Sequence, residues 1–409
     1  MSCRALILLE NEPYPHDTRV RQEAQALRAA GYDVTVAGPT GFGFDALDER
    51  VDGVRALRYP GPTGGLGFAG YVREYTTSLL QLHRLARRVA DETPLDVVMV
   101  CTAPDLMILP ALPLARRGVG VVLDHHDPSP ELFERKFGRR GPTHRALLAI
   151  ERFALRRADA VISVNETCAG LARGRAGVPE ERVFVVRQGP DEGRIHPVDP
   201  RPELRRGRAA LIVWAGMLTQ KERVARLVEA ADDIVNRRGV SDVAFALIGP
   251  GDARGAVEAE ILRRGLSDAV TMPGRVDDEL LRAYLSTADV CVSVDEHGPM
   301  NDLATVTKVL DYMAMGRAVV QFPLVEMRRL CGETTVYARD GDAADLADRL
   351  LELVRDPARR RELGAAARRK VMDGLMWPAQ VPALLAAVRT AQEAGGRAGR
   401  AFRPVPRGV

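Results

Sequence analysis

The chain has 409 residues, 46% of them hydrophobic, which suits about two ordinary cores better than one. Its 58 Lys and Arg stand against 55 Asp and Glu, a formal net charge of +3, and so even a balance argues against a nucleic-acid binder. Five scattered cysteines, Cys3, Cys101, Cys168, Cys291 and Cys331, form no CxxC pair, so neither a disulfide framework nor a zinc knuckle is expected. A reducing cytoplasm fits that usage. With no signal peptide and no apolar stretch long enough to span a membrane, the reading is of a soluble protein.

In chain order, short apolar runs alternate with amphipathic helices, the pattern of parallel sheets covered on both faces. The first half offers strands Ala5–Leu9, Val34–Ala37, Val97–Cys101, Gly120–Asp124, Ala160–Val164 and Val183–Val186. A helix over Thr18–Ala30 carries Val20, Ala24 and Leu27 on one stripe, and Gly31 ends it. The text QGPDEGRIHPVDPRPELRRG, with four prolines and little apolar periodicity, reads as a hinge over 188–207 after a first domain over 1–187. A second domain over 208–375 offers strands Leu211–Ala215, Ala244–Ile248, Val270–Met272, Val290–Val294, Ala318–Phe322 and Thr335–Ala338. Helices are predicted over Val224–Arg237, Leu280–Ala288, Ala343–Asp356 and Pro357–Met372, then over Pro378–Glu393. The C-terminal helix over 376–393 has the option of crossing back to the first domain, and 394–409 reads as a disordered tail.

Chemistry concentrates in Asp295–Gly316, DEHGPMNDLATVTKVLDYMAMG, which leaves an apolar strand through a polar loop and enters a helix. Lys308 and Asp311, three apart, share one helix face, while Val306, Leu310 and Met313 supply the buried one. A loop at a strand's carboxyl end followed by the free N–H groups of a helix start can hold a phosphate or diphosphate. The bland alternative is a surface Lys–Asp pair on a core helix.

These segments, taken with their order, resemble the retaining glycosyltransferases of family 4, whose GT-B fold sets two Rossmann-like domains face to face. The resemblance runs through PYPHDTRVRQEAQALRAAGYDVTV, VVLDHHDPSPEL, RRADAVISVNE and VFVVRQGPD in the first half. In the second half it runs through ALIGPGD, GLSDAVTMPGRV, LLRAYLSTADVCVSV and TKVLDYMAMGRAVV. It implies an α/β GT-B architecture, two doubly wound parallel-sheet domains with a cleft between them. The implied chemistry is transfer of a sugar from a nucleoside diphosphate sugar to an acceptor hydroxyl or similar nucleophile, with retention. No cofactor and no metal is expected, and the partners are that donor and a small-molecule or lipid-linked acceptor, not nucleic acid.

Carried over residue by residue, the resemblance assigns Asp311 to the ribose hydroxyls, in a place where the family usually has Glu. It assigns Lys308 and the N–H groups of Thr305, Val306 and Thr307 to the diphosphate, on which charge grows as the glycosidic bond breaks. Gly216, Arg275 and Val276 join the donor site by the same resemblance. In AGMLTQKERV, Met217 stands where relatives place Arg, and Lys221 sits one residue short of the usual Lys, where Glu222 is found. Lys221 is equally readable as a solvated residue before a helix. Leu303 fills the first position of the family's acidic pair, leaving Asp302 and Glu296 as candidates for the sugar hydroxyls.

In the first domain, His126 of DHHD matches the histidine facing the donor sugar, with Asp127 beside it. Alone, adjacent histidines after a strand read as a hydrogen-bonded strand end rather than a metal site. His16, Asp17 and Arg19 are placed on the acceptor side, although Asp17 also reads as a helix cap that Arg19 pairs with. No carboxylate nucleophile announces itself, which fits same-face attack, in which the departing diphosphate oxygen takes the acceptor proton. His126 then orients rather than abstracts.

The basic stretch Phe133–Ala158, with Leu147, Ile150 and Leu155 on a stripe, reads either as an interfacial helix for peripheral membrane contact or as a core helix with a solvated basic face. Two other functions stay open. One is a GT-B epimerase, and the other is a non-catalytic partner that binds nucleotide sugar.

Overall fold

A computed structural model of the chain describes residues 3–61, 68–138, 140–219 and 223–401. Two compact units emerge, Met1–Gln188 with Gln380–Val409, and Gly189–Ala379. Each is a largely parallel sheet with helices on both faces, and its central strands are buried almost from end to end because neither face meets water.

The first unit holds β1 (Arg4–Leu8), α1 (Thr18–Ala29), β2 (Asp33–Pro39), β3 (Asp48–Val51), β4 (Val54–Tyr59), α2 (Phe68–Glu92) and β5 (Val97–Thr102). It continues through α3 (Leu112–Ala115), β6 (Gly120–His125), α4 (Ser129–Phe137), α5 (Pro142–Arg157), β7 (Ala160–Ser163), α6 (Glu166–Ala176) and β8 (Val183–Val185). The strand order is β3-β4-β2-β1-β5-β6-β7-β8. All neighbours are parallel except β3 and β4, a hairpin closed by Asp52 and Gly53, both at positive φ. The sequence reading expects no strand there, because DERV is charged and only half-buried; its signal is the Asp-Gly pair that such two-residue turns require. Leu6, Leu8, Val98, Val100, Val121 and Leu123 form the core face on one side.

The second unit holds β9 (Ala210–Ala215), α7 (Ala225–Asp232), β10 (Val243–Ile248), α8 (Arg254–Arg263), β11 (Val270–Gly274), α9 (Asp278–Thr287) and β12 (Val290–Ser293). After these come α10 (Thr307–Ala314), β13 (Ala318–Gln321), α11 (Val325–Cys331), β14 (Val336–Tyr337), α12 (Ala343–Arg355) and α13 (Pro357–Met372). Its sheet is wholly parallel, β11-β10-β9-β12-β13-β14, so the order reverses beside β9. From Gly189 onward, the segment expected as a hinge lies along this unit. Ile195 is buried, the Val198 N–H donates to Ser286 Oγ (3.0 Å), and the Arg201 N–H donates to Thr287 Oγ1 (2.8 Å).

The last helix, α14 (Trp377–Ala401), belongs to the first unit from Gln380 and continues through residues that composition assigns to a disordered tail. Leu384, Ala387, Val388 and Ala391 are buried, and the Tyr32 hydroxyl donates to Gln392 Oε1 (2.9 Å). An apolar window in the helical run Pro357–Gly396 is long and apolar enough to cross a membrane by length and composition, contrary to the expectation above; 33% of it is buried. Gly120, at the start of β6, lets α14 approach closely, since a Cβ there would lie 2.3 Å from the Ala391 carbonyl oxygen. Gly120→Ala should therefore destabilise the chain by roughly 1–3 kcal/mol, read as a lower urea midpoint. An unchanged midpoint would contradict this contact.

Candidate functional site

In the second unit the loops leaving β9, β10 and β11 are tied edge to edge. The Gly216 N–H donates to the Ile248 carbonyl (2.9 Å), Leu218 N–H to Pro250 (2.7 Å), and Gly249 N–H to Gly274 (2.9 Å). Gly249 and Gly251 both have positive φ. A Cβ on Gly249 would sit 1.8 Å from the Gly216 carbonyl oxygen, and one on Gly251 would sit 2.1 Å from that of Leu218. Only glycine allows this approach, so Gly-Pro-Gly fixes where the Gly216 backbone lies.

Onto that backbone comes Lys308, from the first turn of α10. Its ammonium donates to Asp295 Oδ2 (3.2 Å) and stands 5.0 Å from the centroid of the buried Trp214 ring. Asp295 also accepts from Ser293 Oγ (2.5 Å). A Cβ on Gly216 would crowd the Trp214 ring (3.0 and 3.2 Å) and just touch Lys308 Nζ (3.4 Å), so glycine leaves the ring and the ammonium room to sit together. With a side chain 14% exposed, Lys308 is a cation held at the strand ends by one carboxylate and one aromatic face. The helix beneath is anchored by Tyr312, whose buried hydroxyl accepts from Ala215 N–H (2.7 Å) and donates to the Ala215 carbonyl (3.2 Å).

Asp311 lies one turn on from Lys308 with a side chain 22% exposed, 3.9 Å from Arg194 Nη1. Burial pushes its carboxyl up to about 7, against the pull of Arg194 and with the repulsion of Asp278. Arg194 is itself drawn to Asp278 (2.9 Å), which weakens its hold on Asp311. A poorly compensated carboxylate on the second turn of α10 is fitted to exchange hydrogen bonds with a ligand.

The other donor-side residues spread more widely. Thr305 and Val306 are half-buried ahead of α10, and Thr307 opens it exposed. The Val306 N–H is directed at the buried Met327 sulfur (3.1 Å), so it is withdrawn from the diphosphate role assigned to it. Asp302 is engaged with His297 Nδ1 (2.6 Å) and accepts from the N–H groups of Val325 (3.2 Å) and Gly298 (3.3 Å). Glu296 is drawn away by Arg226 (2.9 Å). Arg275 is exposed after β11, and Val276 packs half-buried against the core beneath α10. Lys221 and Glu222 lie outside the described residues.

In the first unit, His126 follows β6 and its Nε2 meets Asp124 Oδ2. Asp124 is fully buried and gripped by Arg19, Nη2 to Oδ1 at 2.7 Å and Nε to Oδ2 at 3.1 Å. Although burial opposes its ionisation, Arg19 and His126 hold this carboxyl well below the usual range. Arg19 also donates to the Val186 carbonyl (2.9 Å) and lies 3.1 Å from Glu23, so it is a buried anchor and not an acceptor-facing or Asp17-paired group. Asp17 caps α1 by accepting from Val20 N–H (2.9 Å). His16 stacks on Phe42 with centroids 4.0 Å apart and meets Glu12 (2.8 Å), and Asp127 is half-buried beside His126. His125 points the other way, buried near Glu151 (3.5 Å).

Glu23, Cys101, Asp124 and His126 bring one ligand atom each within 4.8 Å of one another. Both Asp124 oxygens already face the Arg19 guanidinium, and burial pushes the Cys101 thiol and the Glu23 carboxyl up, toward their protonated forms. A metal ion would have to displace an arginine and two protons, so this donor set fits a metal poorly.

Sequence reasoning missed Asp124, Asp295, Trp214 and Arg194. The first had a signal: Asp124 and His126 are two apart at a strand end and share a face, whereas Asp127, the neighbour named with His126, does not share it.

Residues 17–194 match the family described as Glycosyltransferase Family 4, and residues 209–356 match Glycosyl transferases group 1. The alpha-maltose-1-phosphate synthase of Mycolicibacterium smegmatis is 30% identical over 285 residues, 64% of this chain and 70% of that one. The 2-deoxystreptamine glucosyltransferase of Streptomyces kanamyceticus is 24% identical over 276 residues, 65% and 70% of the two chains. Among solved structures, sucrose-phosphate synthase from Thermosynechococcus elongatus superposes with a TM-score of 0.75 at 19% identity, covering 93% of this chain and 96% of that one. Anabaena HepE in complex with UDP and glucose gives 0.69 at 16%, covering 92% and 97%. The chain belongs to the group 1 glycosyltransferases and has their two-domain GT-B fold.

Because the Asp311 carboxyl is raised from 3.8 to about 7 in the folded chain, folding takes up protons at this site between those values. Its contribution to stability is full below the lower value and is lost as pH rises through the upper one. Asp311→Asn should therefore gain melting temperature relative to the parent as pH rises from about 4 to 8. A constant difference would place Asp311 in an ordinary, solvated setting.

Proposed function

We propose that the chain transfers a glycosyl group, with retention and without a metal, from a uridine diphosphate sugar to a hydroxyl of a small polar acceptor. The observation that carries this reading is the Lys308 ammonium, held between Asp295 and the Trp214 face where Gly216 leaves room. As the glycosidic bond breaks, its electron pair goes to the diphosphate oxygen. A fixed ammonium beside that oxygen lowers the barrier more than it strengthens ground-state binding. Asp311, three residues on, would take the ribose hydroxyls. The HepE complex with UDP and glucose motivates uridine and a hexose.

Retention by same-face attack is supported by the state of the nearby acids. Asp295 is committed to Lys308 and Ser293, Asp302 to His297, and Glu296 to Arg226, so none is poised as a nucleophile. The leaving oxygen then accepts the acceptor's proton while the acceptor oxygen bonds the anomeric carbon on the same face. His126, fixed through Asp124, orients the reacting sugar.

A small soluble acceptor is favoured over a lipid-linked one. On α5, Leu155 is buried in the core and Leu147 and Ile150 are half-buried, which leaves little apolar stripe for a bilayer. The 2-deoxystreptamine relative fits that class, and a cytoplasmic setting is proposed with it.

Incubation of the full chain with UDP-glucose tests the reading. Slow release of UDP is expected, and Lys308→Ala should lower it by roughly two orders of magnitude, about 3 kcal/mol of leaving-group stabilisation. His126→Ala should impair transfer while sparing UDP affinity. An unchanged rate in Lys308→Ala would remove that residue from the mechanism, and absence of any turnover with a full donor panel would favour a binding partner. An inverted anomeric coupling in the product's NMR spectrum would refute retention.

A further inference from the structure

The second unit has a cavity of about 480 Å³ at the amino ends of β12 and β13, on the opposite edge of the sheet from Lys308. One wall is the turn Met315–Ala318 after α10, and the other is α13. Their separation is set by a close approach: a Cβ on Gly364 of α13 would fall 2.2 Å from the Gly316 carbonyl oxygen. The space is thus built into the backbone.

Its lining carries four guanidiniums, Arg317, Arg360, Arg361 and Arg368, against one carboxylate, Asp289. That carboxylate is already answered twice, by Arg360 (3.0 Å) and by Arg205 (3.0 Å). Part of the arginine cluster has a structural task. Arg317 Nε donates to the Met315 carbonyl (3.1 Å), and Arg368 Nη1 donates to that of Ala314, so both cap the carboxyl end of α10. The task does not use up the donors. Among the described residues Arg361 has no hydrogen-bond or ion-pair partner, and neither Arg317 Nη2 nor Arg368 Nη2 makes a hydrogen bond.

We propose that this pocket binds a soluble phosphomonoester of about sugar-phosphate size. A phosphate presents oxygens in the geometry that guanidinium forks match, the excess positive charge lines an open concavity, and the volume lies in the range of small-molecule sites. The site is separate from the donor loops and independent of the proposed reaction. It touches the same helix, since the turn forming one wall ends α10, whose other end carries Lys308.

Titration calorimetry on the full chain, in physiological chloride, tests this with glucose 6-phosphate and inorganic phosphate as probes. Saturable binding of the sugar phosphate is expected. Arg361→Glu, an exposed position whose change should spare the fold, weakens it by roughly tenfold or more, and Arg361→Lys weakens it less. Lys308→Ala leaves it unchanged. The proposal is overturned if neither probe binds saturably, or if Lys308→Ala abolishes binding while Arg361→Glu does not, which places the phosphate in the donor loops. Retention on phosphatidate vesicles through Arg361, without binding of the soluble probes, overturns it in favour of a lipid headgroup.

Discussion

The second unit depends on two backbone contacts that no side chain could survive, Gly249 on the Gly216 carbonyl and Gly251 on that of Leu218. They hold the exits of β9 and β10 in register and leave Gly216 bare. Into the room beside Gly216 comes the one ammonium among the described strand-end groups, Lys308, with Asp295 and Trp214 to keep it there. A Lys–carboxylate pair at this level of burial is a weak source of stability but a costly one to break from one side. Its value lies in position: the cation is held where a ligand anion can share or replace Asp295.

The first unit solves a similar problem with more burial. Asp124 lies wholly inside, and two groups answer it, the Arg19 guanidinium from α1 and the His126 ring at the surface end. Arg19 is spent on this task, on Val186 and on Glu23, which is why its place in the sequence beside a strand-end loop misleads. The result is a histidine whose ring is fixed by its own strand rather than by a flexible loop. Such anchoring fixes the ring's direction, as the orienting role proposed for it requires.

The sheets were legible because each buried strand of a parallel sheet is an uninterrupted apolar run, as VVMV, GVVL and ALIVWA are. The hairpin β3–β4 escaped because its edge strand is charged and half-exposed, leaving only Asp-Gly as a sign. The segment 189–207 looked like a linker because prolines suppress periodicity, yet Val198 and Arg201 bond to α9 side chains far along the chain. At the site, helical spacing put Lys308 and Asp311 on one face, and the family resemblance gave them their roles. Their settings were not legible: Arg194, Asp278 and Asp295 reach them only through folding, and the Val306 N–H turns to a sulfur that belongs to α11. Sequence spacing reports which residues share a face, not which atoms already have partners.

A difference electron-density map from crystals soaked in UDP bears most directly on the claim that the second unit's strand-end loops hold a nucleoside diphosphate. The account expects the diphosphate within hydrogen-bond reach of Lys308 Nζ beside Gly216, with the ribose hydroxyls on Asp311. Nucleotide ordered elsewhere, with Lys308 still paired to Asp295, would contradict it.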